Sequence, residues 1–193
     1  MLIQVRDISL SEVNGCIKWY NTLSRSYDEL YGEEQKVKYG KIIKHLSRGL
    51  NSVLDVGCGT GSLLEYLIDS GYSVLRYICI DVSDKLVEIA SSRFRDDKYK
   101  NTFTDLVVAD LTFPPIRSEL KLDLVAMITV LKESYNISNI VSKYLSVVGE
   151  NGFLVYTVIK KVKDGSRSDE LRYEDAYIVG KSGKFMEIEA RDS

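Results

Sequence analysis

The segment "VLDVGCGTG", Val53 to Gly61, sets glycines at 57, 59 and 61, with Asp55 two residues ahead of the first. Glycine is poor material for a strand or a helix, so three in one turn indicate a backbone that something approaches too closely for a Cβ. Two further carboxylates close apolar runs: Asp81 ends "YICID" and Asp110 ends "LVVAD". A carboxylate beside a glycine turn can accept both hydroxyls of a ribose, each through a charge-assisted hydrogen bond. One placed a strand further over can accept from the exocyclic amine of an adenine. Ribose and adenine beside such a turn are the chemistry of an adenosine-containing ligand.

These residues converge only if the runs that precede them are neighbouring parallel strands. "SVLDVG", "SVLRYICID", "TDLVVAD", "KLDLVAMITVL" and "GFLVYTVIK" read as five strands. Helices alternate with them: "SLLEYLIDSG" with Gly71 at its C-terminal cap, "SDKLVEIASSRFRDD" with Ser83 as N-cap, and "SNIVSKYLSVVG". The loop "LTFPPIRSEL" carries both prolines, Pro114 and Pro115. The run "KKVKDGSRSDELR" reads as a solvated loop, and "AYIVG-KSG-KFMEIEA" as a closing hairpin. Residues 1–50 read as helical, with a partial apolar stripe at Val37, Ile42, Ile43 and Leu46 and with His45 on a helix surface. The expected fold is α/β: a doubly wound, Rossmann-like, mainly parallel sheet with a C-terminal antiparallel hairpin and an N-terminal helical cover. It forms one domain over 1–193, with 1–50 as the cover and 51–193 as the core.

Spacing selects among adenosine ligands. In the dinucleotide pattern G-x-G-x-x-G counted from Gly57, the third glycine falls on Ser62. Asp55 is also a poor neighbour for a pyrophosphate and suits a cation, an ammonium or a sulfonium. The ordered series "VLDVGCGTG", "YICIDVS", "LVVADLTF" and "LDLVAMITVL" resembles the motifs of the class I S-adenosylmethionine-dependent methyltransferases over about residues 50–160. The resemblance implies S-adenosyl-L-methionine as cofactor, with Gly57, Cys58, Gly59 and Gly61 under its methionine and ribose. It implies that Asp55 orders the amino-acid end, Asp81 with Val82 holds the ribose, and Asp110 with Leu111 bounds the adenine. Thr129, at the end of the fourth strand, completes the set. The N-terminal "SYDELYG" resembles the segment covering the cofactor in small members, which singles out Tyr27 and Tyr31.

Methyl transfer from a sulfonium is an in-line displacement, so orientation of the acceptor dominates, and a base is needed only for a protonated acceptor. After the fourth strand the chain reads "MITVLKESYN", without the Asn-Pro-Pro-aromatic box that some members use for planar nitrogens. Glu133 is the candidate base there, with Lys132 and Tyr135 beside it. No cysteine follows the fourth strand, which argues against a covalent pyrimidine adduct. A small-metabolite acceptor is favoured over RNA or protein. The latter would need a basic groove from Lys36, Lys38, Lys41 and Lys44 with Lys160, Lys161 and Lys163, or a partner subunit. A non-catalytic interaction protein on the same fold, and more remotely a nicotinamide dehydrogenase, are the other readings.

A formal net charge of -2 offers no global field for nucleic acid or an anionic membrane. A single histidine and three cysteines without C-x-x-C spacing make a zinc site improbable; no metal is expected. Cys16, Cys58 and Cys79 read as free, mostly buried thiols of a reducing compartment. With no apolar run of 18 residues, a cytoplasmic chain without a membrane span is expected.

Overall fold

The computed structural model describes residues 7–47, 49–113, 115–117, 119–163, 170–180 and 185–189. Pro114, residues 164–169 of the polar run and the hairpin tip at 181–184 lie outside the described residues. Two helices open the chain, α1 (Leu10–Leu23) and α2 (Tyr27–Ile43). Ser9 starts α1 with a capping box, its side chain accepting from Glu12 N while the Glu12 carboxylate accepts from Ser9 N. Strands and helices then alternate: β1 (Ser52–Val56), α3 (Ser62–Asp69), β2 (Arg76–Asp81), α4 (Asp84–Arg93), β3 (Phe103–Val108), β4 (Leu122–Lys132), α5 (Ile137–Leu145) and β5 (Val148–Lys163). Two more strands, β6 (Glu170–Gly180) and β7 (Phe185–Glu189), complete the sheet. Ser83 is the N-cap of α4, accepting from Leu86 N as expected.

The seven strands lie in the order β3-β2-β1-β4-β5-β6-β7. The pairs from β3 through β5 are parallel, and β5–β6 and β6–β7 are antiparallel. The order reverses between β1 and β4, which opens a crevice at the carboxyl ends of these strands. On one face, Val53, Tyr77, Cys79 and Leu124 pack with the side chains of α2 and α3; on the other, Leu54, Ile80, Val125 and Met127 pack with α5. The strands β1 and β4 are buried on both faces, which explains their continuous apolar runs.

Two expectations change. Part of the polar run is strand, because β5 and β6 form one long ladder that continues to Lys163 opposite Glu170. Tyr156 stacks on Tyr177 across it (centroids 5.0 Å apart), and Lys160 pairs with Asp175. In the cover, Ile42, Ile43 and Leu46 are buried, but Val37 is 49% exposed. The α2 face turned to the core instead runs through Gln35, Lys38, Tyr39 and Ile42.

Candidate active site

The glycine turn is fixed by its backbone. Gly57, Gly59 and Gly61 have φ of +75°, +55° and +79°, the left-handed region that side chains disfavour. Gly57 N and Cys58 N both donate to Ile80 O (2.7 and 3.1 Å), and Gly61 N donates to Cys58 O at 2.9 Å. What lies against all three glycines is protein. A Cβ at Gly57 would meet Val130 Cγ2 at 2.4 Å, and one at Gly61 would meet Phe94 Cζ at 2.3 Å. At Gly59 the neighbour is the Tyr27 ring, at 3.4 Å.

Asp81 ends β2 beneath this turn. Its carboxylate accepts from Gly59 N (2.9 Å) and Ser83 N (2.8 Å). Burial pushes its pKa up, and the backbone N–H groups oppose that by stabilising the anion. Asp110 makes a local turn, accepting from the Thr112 N–H and hydroxyl, both at 2.7 Å. Asp55 faces the α2–α3 side of the sheet, where it accepts from the Tyr77 hydroxyl. Its burial pushes the carboxyl pKa up to about 7, against the hydrogen bond from Tyr77.

At the β4 end the backbone leaves regular geometry. Thr129 has φ +62°, a conformation costly for a β-branched residue. Three polar groups hold it: its N–H donates to Thr157 Oγ1 (2.7 Å), and its hydroxyl accepts from Gln35 Nε2 and Lys38 Nζ, both at 3.1 Å. Lys38 is itself buried and pairs with Glu34 at 2.6 Å. The cover is thereby tied to the rim at β4. It is tied again on the opposite side, where Asp28 accepts from the Thr60 hydroxyl at 2.5 Å and pairs with Arg93. Asn21 bridges to α4, accepting from Ser83 Oγ (2.6 Å) and donating to Asp84 Oδ1 (2.7 Å).

Between these ends is a cavity of about 130 Å³. The structure brings Tyr27, Gly57, Asp81, Val82, Asp110, Leu111 and Thr129 to its wall. Asp55, Cys58, Gly59, Gly61, Tyr31 and Glu133 are not on the wall. Tyr31 packs behind Tyr27 with ring centroids 5.2 Å apart, and Lys132 and Tyr135 reach the cavity where Glu133 does not. Sequence reasoning missed Val13, Cys16 and Tyr20, which line the cavity from α1. Their i, i+3, i+7 spacing, one helix face, was the available signal. Burial raises the Tyr20 hydroxyl pKa to about 12, so it remains a neutral donor.

One expectation is overturned. Cys58 and Cys79 are not free thiols: they form a disulfide, while Cys16 is free. The register explains the pairing, because Asp55 lies opposite Cys79 and the turn carries Cys58 back over β2. Among the described residues no group of histidine, cysteine and carboxylate side chains is arranged to hold a metal ion, and no helix is long and apolar enough to cross a membrane.

The methyltransferase domain family matches residues 54–154. An uncharacterized protein of Methanocaldococcus jannaschii is 27% identical over 153 residues, 76% of this chain and 53% of that protein. The malonyl-[acyl-carrier protein] O-methyltransferase of Acetivibrio thermocellus is 26% identical over 137 residues, 69% and 45% of the two chains. The chain therefore spans about half the length of these relatives. Among solved structures, the DhpI–SAH complex superposes with a TM-score of 0.60 at 14% identity, covering 94% of this chain and 81% of that one. That likeness is one of fold.

Proposed function

The chain belongs to the class I S-adenosylmethionine-dependent methyltransferases, and we propose that it transfers the methyl group of S-adenosylmethionine to a small metabolite. The observation that carries this reading is the convergence of Gly57, Asp81, Val82, Asp110 and Leu111 on one cavity whose far end is walled by the cover. The donor set fits the group: a buried carboxylate for the ribose hydroxyls and a second carboxylate beside the apolar Leu111 for an adenine. In this reading Asp81 accepts from the ribose while still holding the turn through Gly59 N. Asp110 would accept from the adenine amine, with Val82 and Leu111 as apolar wall beside the base. Asp55 acts at one remove, supporting the turn from the α2–α3 side. At about 130 Å³ the cavity is smaller than the roughly 300–1,000 Å³ typical of small-molecule sites.

When bound, S-adenosylmethionine supplies an activated methyl group on a sulfonium leaving group. The chain's share is to align the acceptor atom opposite sulfur, about 3 Å from the methyl carbon, and to keep water out. Of the cavity wall only Asp81 and Asp110 are carboxylates, and both belong to the adenosine end. The acceptor end is Val13, Cys16, Tyr20, Lys132 and Tyr135, and among the described residues it holds no carboxylate or imidazole. An acceptor that arrives with its lone pair available suits that wall.

Three of the seven lysines that a nucleic-acid groove would require are paired with carboxylates, which favours the small-metabolite reading. Lys36 pairs with Glu33, Lys38 with Glu34, and Lys160 with Asp175. The test is incubation with methyl-labelled S-adenosylmethionine and host extract divided into metabolites, RNA and protein. Label is expected in the metabolite fraction. Label in RNA or protein, with S-adenosylhomocysteine binding intact, would replace this acceptor class.

A further inference from the structure

We propose that Cys58–Cys79 is a redox-modification site: a reversible disulfide that sets the rigidity of the glycine turn and, through it, the grip of the site on its adenosyl ligand. The bond spans 21 residues and joins the turn after β1 to the middle of β2. Both cysteines are buried, Cys58 at 5% and Cys79 at 0% exposure. The turn is otherwise held to β2 by the Gly57 and Cys58 amides on Ile80 O and the Gly59 amide on Asp81. The disulfide is the covalent member of that set, and it lies two residues before Asp81.

Reduction breaks one S–S bond. Two electrons and two protons come from a dithiol, which departs as its own cyclic disulfide, and two thiols remain. The two buried sulfurs, no longer bonded, move apart to van der Waals separation, and the turn moves away from β2 with Cys58. The amides of Gly57, Cys58 and Gly59 lose geometry on Ile80 and Asp81 together. The oxidised chain is the one with the preorganised cradle.

The experiment uses the full chain purified without reductant. It is unfolded, alkylated with N-ethylmaleimide and weighed, then compared with the same protein treated with dithiothreitol. One adduct, mapped to Cys16, is expected before reduction and three after. Hydrogen exchange of residues 57–61 in the folded protein should become about tenfold faster on reduction, because a local constraint on opening has been removed. Affinity for S-adenosylhomocysteine should weaken in parallel. That last readout rests on the proposed function, but the exchange and alkylation readouts do not. Cys79→Ala should match the reduced protein and be insensitive to dithiothreitol. Three adducts without reduction would overturn the proposal, as would a disulfide whose reduction leaves exchange at 57–61 unchanged. If exchange responds but S-adenosylhomocysteine binds neither form, the proposed cofactor falls and the redox device stands.

Discussion

At the β1–β2 end of the cavity, partners are close in sequence: Asp81 takes Ser83 N two residues away and Gly59 N twenty-two residues away. At the β4 end, Thr129 is held by Gln35 and Lys38, 94 and 91 residues distant. The first end is a strand-turn-helix whose backbone donors to Asp81 come from one short segment, and the cover reaches it only through side chains, Asp28 to Thr60 and Asn21 to Ser83. The second exists only after the cover has docked on the sheet. The difference is one of construction: the hydrogen bonds of the turn are local, whereas those of the β4 wall cross from the cover.

The strongest way to break that comparison is to show that the turn is not locally held. Gly61→Val places a β-branched side chain at φ +79° with its Cβ 2.3 Å from Phe94 Cζ. Loss of cooperative folding is expected by circular dichroism and thermal melting. Gly59→Ala meets only the Tyr27 ring, at 3.4 Å, and should cost about 1–2 kcal/mol from its backbone conformation alone. Equal melting temperatures for the two variants would refute the packing argument.

Asp55 lies off the cavity wall and accepts from Tyr77 within the sheet, so its substitution reads stability apart from ligand contact. Its folded pKa, about 7, lies above the ordinary carboxylate value of 3.8. The folded state therefore binds the proton more tightly. Its stabilising contribution is complete below about pH 4 and is lost as pH rises through 7, a penalty of at most about 4 kcal/mol. Asp55→Asn keeps an acceptor for Tyr77 and carries no charge. Urea melts should show the variant gaining on wild type at pH 8 and matching it near pH 4. A gain independent of pH would mean that Asp55 does not titrate in this range.

A smaller effect is expected at Asp81. In Asp81→Asn one oxygen must serve two buried N–H groups, a loss of about 1–3 kcal/mol by thermal or urea unfolding. S-adenosylhomocysteine affinity should fall with it. Unchanged affinity in isothermal titration would remove Asp81 from the ligand's contacts while leaving its structural role.

The same contrast decides what could be read from sequence. Alternating apolar runs, the Ser83 cap and the carboxylates after β2 and β3 are local signals, and β1 through β5 follow from them. The start of β6 and the end of β5 were hidden because polar residues on an antiparallel pair read as loop, whereas "AYIVG" was legible as strand. The disulfide was hidden because Cys58 and Cys79 meet only through the β1–β2 register. Lys38 was legible only as one lysine of a possible basic groove and Gln35 not at all; their burial against Thr129 depends on how α2 lies over the sheet. Nothing local in "MITVLKESYN" announces that Thr129 leaves the strand conformation.

Thr129 therefore gives the finest test of the assembled end. Thr129→Ser retains the hydroxyl that accepts from Gln35 and Lys38 and removes a branched methyl from a residue at φ +62°. Lost packing and relieved strain oppose each other, and the change in stability should stay within about 0.5 kcal/mol. Thr129→Val keeps the shape and the strain but deletes the acceptor. That removes from Lys38 and Gln35 a buried partner, at a cost of about 1–3 kcal/mol. If the hydroxyl latches the cover to the rim, the valine variant should also speed hydrogen exchange across Gln35–Tyr39, and the serine variant should not. Equal exchange in both would mean that the cover is held by Asp28 and Asn21 at the other end of the cavity, and the two ends would not be independently built.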